Sequence, residues 1–240
     1  MLQPFPIGMI NPAAGGGLPS IDQTNLIRWW DADFDATSST WTDQTGTQDA
    51  SVGGVSYVSG TPSVYDFPGG SGVIGIGHAA ATDINCDDIG VQMWIKLDNT
   101  NNTNYCIASQ RSGVNSSTCR FSFHINAGNN TVGIYNGFAF SPLSVSGLIT
   151  LTNNVWYFVE VMCPNNGTTE FYINDISVAS TSTNNNTGAG AEPWGIGTPN
   201  YGLSTYSGEY FQGDIAMCLV YDTNTRPSGN WNATKARFGY

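Results

Sequence analysis

VWYFVEVMCPNNGTTEFYINDISVAS, residues 155–180, decides how the rest of the chain is read. Tyr157, Val159, Val161 and Cys163 place apolar side chains at every second position, the period of a half-buried strand and not of a helix. Pro164-Asn165-Asn166-Gly167 supplies turn chemistry, since proline has no N–H to give a ladder and Asn and Gly tolerate positive φ. A second strand, Glu170 to Ile173, carries Phe171 and Ile173 on one side. Asn174-Asp175 then reverses the chain into Ile176 to Ala179, although Asp accepts that backbone less readily than Gly. The stretch predicts three antiparallel strands in one meander, and an all-β chain around them.

The same period recurs on both sides. Upstream, Val91, Met93, Ile95 and Leu97 alternate with Gln92, Trp94 and Lys96, so the second set is expected to face outward. Val64 to Phe67, Val73 to Ile76, Tyr105 to Ser109 and Thr131 to Tyr135 read as further strands. Arg120 to Ile125 is another, with Phe121, Phe123 and Ile125 inward and Arg120, Ser122 and His124 outward. Downstream, Trp194 to Gly197 is extended. Phe211 to Tyr221, with Ile215, Met217, Leu219 and Tyr221 on one face, belongs near the middle of a sheet. Past Pro227 only one helical turn is expected, near Trp231 to Lys235.

A chain of 240 residues can bury one large core, and β-sandwiches reach this length as single domains. The expected division is an extended N-terminal arm over 1–20 and one domain over 21–240. The arm is rich in Pro and Gly and offers Pro4, Phe5, Pro6, Ile7, Met9 and Ile10 for contact with neighbouring chains. It lacks the basic start of a secretory signal. No window is long and apolar enough to cross a bilayer as a helix, so no membrane insertion is expected. A net charge of −11 with only seven Lys and Arg argues against nucleic acid, whose phosphates need clustered cations.

Charged residues make up 10% of the chain, so the surface is wetted mainly by amides and hydroxyls. Asp31, Asp33 and Asp35 alternate, a spacing that invites calcium, but the Gly and distal Glu of an EF-hand loop are missing and a solvated strand end is the reading adopted. The five cysteines have neither C-x-x-C spacing nor nearby His, which argues against zinc. Cys106 and Cys119 could face each other across a hairpin. Buried thiols are the simpler reading.

The order of features resembles the concanavalin A-like lectin/glucanase superfamily, in its laminin G-like and pentraxin-like branches. Four stretches carry the resemblance: LIRWWDADFDATSSTWTDQTG with Trp41, Asp43, Thr45 and Gly46; DIGVQMWIKLD with Trp94; residues 155–180 with Tyr172-Ile173-Asn174-Asp175 where the family has an Asp-Gly turn; and GEYFQGDIAMCLVYD with Phe211, Gly213 and Ile215. The resemblance implies a two-sheet antiparallel jelly-roll sandwich. It also implies a calcium position at Asp214, so a structural calcium is the one cofactor to consider. The Glu-x-Asp-x-x-Glu strand of the glucanase branch is absent. Glu160, Glu170, Glu192 and Glu209 each lack a carboxylate two residues away, and Glu160 and Glu170 are expected on solvated strand faces. Neither His78 nor His124 adjoins a nucleophile motif.

Catalysis is therefore not expected, and function must come from a site. Sugars pack their C–H faces on aromatic rings and bond their hydroxyls to amides, which singles out Trp194, Asn200, Tyr201, Tyr206 and Tyr210 as a carbohydrate-binding stretch. The expectation drawn from all of this is a non-enzymatic virion component of a bacteriophage, a capsid decoration, tail or fibre protein. It would attach through its arm to other virion proteins and copies of itself, and would touch host surface polysaccharide. The alternatives are an extracellular lectin-like adhesin and, last, a secreted glycoside hydrolase.

Overall fold

The computed structural model describes residues 20–35, 39–76, 88–98, 105–111, 119–126, 131–136, 139–141, 149–165, 167–181, 193–198 and 209–240. The arm candidates Pro4, Phe5, Pro6, Ile7, Met9 and Ile10 lie outside them. Among the described residues the strands are, in chain order, β1 (Leu26–Asp31), β2 (Thr40–Trp41), β3 (Ala50–Gly53), β4 (Ser56–Val58), β5 (Val64–Pro68), β6 (Val73–Ile76), β7 (Ile89–Leu97) and β8 (Tyr105–Arg111). There follow β9 (Cys119–Ile125), β10 (Val132–Asn136), β11 (Ala139–Ser141), β12 (Trp156–Cys163), β13 (Thr169–Ile173), β14 (Ile176–Thr181), β15 (Trp194–Ile196) and β16 (Gln212–Tyr221). A 3-10 turn at Ala32–Phe34 follows β1, and a short helix, α1 (Gly229–Thr234), with a 3-10 turn at Lys235–Phe238 closes the described chain.

These strands make two antiparallel sheets stacked as a jelly-roll-like sandwich. Sheet A runs β14-β13-β12-β7-β16-β5-β4, with β1 also paired to β16; sheet B runs β11-β10-β9-β8-β15-β6-β3-β2. The opening meander is β12–β13–β14 in sheet A, with Val159 opposite Ile173 and Val161 opposite Phe171. Asn174 and Asp175 both take positive φ, 51° and 70°, the turn whose twist matches a two-residue hairpin. Asp tolerates the second position here because Arg226 Nη2 holds its carboxylate at 2.7 Å.

The inner faces form one continuous core. Val91, Met93, Ile95 and Leu97 of β7 meet Tyr157, Val159 and Val161 of β12, and across the gap lie Ile74, Ile107, Phe123, Ile134, Trp194 and Ile196 of sheet B. Alternation alone predicted the β7 and β12 members of that set and Phe123.

The outer face of sheet A departs from expectation. Gln92 and Trp94 are fully buried there, together with Phe158, Met217 and Leu219. The covering material is the chain after β16. Phe238 stacks on Trp94 with ring centroids 3.8 Å apart, Trp231 lies at 5.3 Å, and Trp94 Nε1 donates to Thr234 Oγ1 at 2.8 Å. A six-residue helix is too short to persist in water alone, so this segment is held by its ring packing and by buried polar ties. Arg226 forks onto Glu160, Gln92 Nε2 donates to Glu160 Oε2 at 2.6 Å, and Asn230 Nδ2 donates to Gln92 Oε1 at 2.6 Å.

Glu160 is thus fully buried and not on a solvated face, whereas Glu170 is exposed and accepts from Tyr172 OH. The Asp31-Asp33-Asp35 series is likewise neither a solvated strand end nor a cation loop. Arg237 forks onto the fully buried Asp31 at 2.7 Å and reaches Asp33, while Asp35 accepts from Thr42 N and Oγ1. Cys106 is a buried thiol and stands opposite His124, while Cys119 stands opposite Arg111, so the hairpin does not bring the two cysteines face to face.

Candidate functional site

The expected carbohydrate stretch begins on β15 and returns at the start of β16. Trp194, its first member, points into the core between the sheets and is 2% exposed, so its ring has no face to offer a sugar. Its register, opposite Ile76 and Gln110 on the neighbouring strands, sets the ring on the same side as theirs. Asn200, Tyr201 and Tyr206 fall at 199–208, outside the described residues. Tyr210, on the return, is half-buried.

The two ends of this segment are brought together. Gly197 N–H donates to Ile107 O at 2.8 Å, Phe211 N–H to Gly197 O at 2.9 Å, and Cys106 N–H to Glu209 O at 2.8 Å. Gly197 and Glu209 therefore both lie against β8, a close approach that two glycines permit. Gly197 has φ +71°, and a Cβ there would stand 2.2 Å from the Phe67 ring. Gly195 lets Thr198 fold back onto the strand, where a Cβ would stand 2.8 Å from Thr198 Cγ2. The sequence reading took Trp194 to Gly197 only as extended chain, although two glycines flanking one strand residue signal close backbone approach.

Thr198 folds onto the outer face of sheet B, and that face is polar. Paired residues across a sheet share a side, so Ser51, Gly75, Gly195, Ser109 and Ser122 form one row across β3, β6, β15, β8 and β9. Cys106, His124 and Gly133 form the next row. The outward direction expected for Ser122 and His124 is correct, yet both are fully buried. His124 Nε2 lies 2.5 Å from Ser122 Oγ. Ser109 Oγ donates to Thr198 O at 2.8 Å, and Cys106 Sγ donates to the same oxygen at 3.2 Å. Hydroxyls, a thiol and an imidazole here occupy a position that in sheet A is filled by Trp and Phe.

Asp214, the calcium position implied by the resemblance, lies on the outer face of sheet A. Lys96 Nζ stands 2.5 Å from its carboxylate. Asp66 and Asp98 are close enough that burial first, and the Asp214 charge second, raise both above the usual carboxylate range. Lys96 already supplies the positive charge at Asp214, and among the described residues no group of three His, Cys, Asp or Glu is arranged to hold a metal. The residues present do not fit a calcium site. Burial also pushes the Cys163 thiol up to about 11, so it is inert at neutral pH.

Two stacked antiparallel sheets, with one outer face closed by the chain's own end and the other polar, define a jelly-roll-like sandwich. The chain belongs to the concanavalin A-like lectin/glucanases superfamily: residues 68–228 match its laminin G family. No curated protein matches the chain by sequence. Among solved structures it is similar to a Trypanosoma rangeli sialidase in complex with sialic acid, at 14% identity and a TM-score of 0.64, covering 89% of this chain and 33% of the sialidase. Domain 4 of AbnA, a GH43 extracellular arabinanase from Geobacillus stearothermophilus in complex with arabinotriose, aligns at 15% identity and a TM-score of 0.63, covering 88% of this chain and 99% of that domain. The binding domain of botulinum neurotoxin serotype C1 aligns at 14% identity and 0.61, over 88% of this chain and 52% of that one. The chain thus spans about a third of the sialidase and nearly all of the arabinanase domain. At these identities the likeness establishes the fold.

Proposed function

We propose that this protein is a non-catalytic carbohydrate-binding domain whose ligand is held by side chains of the segment between Thr198 and Tyr210. The observation that carries the reading is the difference between the two outer faces. Sheet A is closed by Trp231 and Phe238, whereas the outer side of sheet B is lined by buried hydroxyls, one of which, Ser109, holds Thr198 at the start of a segment carrying Asn200, Tyr201, Tyr206 and Tyr210. Support comes from the arabinanase domain of matching extent, which is bound to arabinotriose. Catalysis is not part of the proposal, because Glu160 is committed to Arg226 and Gln92.

In the fuller form of the proposal the domain is a bacteriophage virion component, joined to capsid or tail subunits and to its own copies through residues 1–20 and touching host polysaccharide. The motives are the Pro- and Gly-rich arm and the charge-poor surface of amides and hydroxyls. The test is calorimetric titration of the full chain with arabinotriose and sialic acid, beside a glycan array. Saturable binding that is lost in Tyr201→Ala and Tyr206→Ala supports the reading. Absence of binding to every glycan, or release of reducing sugar by the pure protein, overturns it.

A further inference from the structure

We infer that the outer side of the β13–β14 hairpin is a second carbohydrate-binding surface, on which the Tyr172 ring stacks on a neutral sugar while Glu170, Asp175 and Ser177 bond its hydroxyls. The inference shares the carbohydrate reading above but stands on different residues. The terminal segment closes sheet A over β7 and β12, where Gln92, Trp94, Phe158 and Glu160 are fully buried. On β13 and β14 the same side stays open. Glu170 pairs with Ser180 and Tyr172 with Ser177, so the four side chains share that face; Tyr172 is half-buried and the other three are exposed. A ring beside a carboxylate and two hydroxyls matches the C–H faces and hydroxyls of a sugar better than it matches the apolar centre of a protein interface.

The ring is held before any ligand arrives. Arg226 Cζ lies 4.1 Å from its centroid, and its hydroxyl donates to Glu170 Oε2 at 2.8 Å. A side chain fixed in this way loses little rotamer freedom on binding. Arg226 takes Oδ1 of Asp175 at 2.7 Å, and that side chain is 37% exposed, so Oδ2 is left to accept from a sugar hydroxyl. Asn174, two residues past Tyr172, donates Nδ2 to Tyr240 OH at 3.3 Å, which brings a second exposed ring to the same turn. Arg226 is matched by Glu160 and Asp175, and Glu170 adds a further negative charge, so the local balance is negative. Such a surface repels an acidic sugar, and the ligand class is a neutral oligosaccharide.

The experiment is calorimetric titration of the full chain with arabinotriose and with sialic acid, beside an array of neutral glycans. It compares the unaltered chain with Tyr172→Ala, Ser177→Arg and the double change Tyr201→Ala, Tyr206→Ala. Loss of the ring is expected to weaken arabinotriose about tenfold. Ser177→Arg fills the platform from an exposed edge position, away from the core, and is expected to weaken it at least as much. Weakening in both of these, with binding kept in the double change, supports the inference and removes the ligand from the segment after Thr198. Binding unchanged in Ser177→Arg overturns the inference, whatever Tyr172→Ala does, and leaves the other segment to be judged by the double change. Sialic acid bound more tightly than arabinotriose overturns the ligand class. An unaltered chain that retains no neutral glycan overturns the inference and the carbohydrate reading together.

Discussion

Replacing Arg226 by Met tests how the terminal segment is held to sheet A. Arg226 reaches Glu160 through Nε at 3.1 Å and Nη2 at 2.5 Å, gives Nη2 to Asp175 at 2.7 Å, and lies 4.1 Å over the Tyr172 ring. Glu160 is fully buried, and the Gln92 amide would be its one remaining partner among these contacts. Removing one member of a buried pair costs about 3–5 kcal/mol, because the other charge is left without compensation. The Arg226 side chain is 15% exposed, so water can partly replace it and the lower end, about 3 kcal/mol, is expected. For a protein of this size that is a drop in Tm of roughly 6–12 °C. Glu160→Gln, which keeps an acceptor for Gln92, should cost less, about 1–2 kcal/mol. The double variant should be less damaging than the two single losses added, by at least about 1.5 kcal/mol. Urea unfolding followed by tryptophan fluorescence measures all three, since Trp94 and Trp231 lie under and within the segment. A cost below about 1 kcal/mol for Arg226→Met would refute the reasoning, as would strict additivity.

Two further outcomes follow from the same structure. Burial raises Asp31 and Glu160 above their ordinary range despite the Arg237 and Arg226 contacts, so the folded state binds their protons more tightly than the unfolded chain does. Stability should therefore rise as pH falls from neutral towards about 4.5, the reverse of ordinary acid denaturation, with a smaller rise in Glu160→Gln; melting curves across that window check the sign, and a Tm that falls steadily would show that the arginines outweigh burial. Gly197→Ala should be destabilised by more than about 2 kcal/mol from its left-handed backbone and the Phe67 ring, while Gly46→Ala, equally left-handed but with open space around it, should lose only about 1 kcal/mol; equal losses in denaturant titration would remove the steric argument.

The strands that period two revealed are those of sheet interiors, such as β7, β12 and β16, although a bulge at Ala216 splits the face expected for β16, leaving Ile215 in the inner core and Met217, Leu219 and Tyr221 on the outer side. The edge strands β2, β4 and β11 run for two or three residues and carry too little pattern to detect. Alternation also fixes which residues share a face without saying what covers that face. Gln92, Trp94 and Glu160 were assigned to water because the partner that buries them is a sequence-distant stretch, RPSGNWNATKARFGY, with three large rings spread among polar residues. Trp94 and Phe158 on a supposedly wet face were the available signal. The same limit applies to Trp194. Its position beside Asn and Tyr in the chain suggested a surface ring, while its strand register carried it inward. The three alternating aspartates are explained by partners outside the run, Arg237 for Asp31 and Asp33, Ser63 for Asp33 and Thr42 for Asp35, that no local spacing could announce.

The terminal segment has a practical consequence for anyone who trims this protein. Sequence likeness to the family stops at residue 228, one position before the helix that carries Trp231 and ten before Phe238. A version cut at that limit would keep most strands of both layers yet uncover the indole of Trp94 and the ring of Phe158, presenting an adhesive aromatic plate to solvent. Expression limits drawn by contact, and not by family likeness, are the ones that should yield a monodisperse sample.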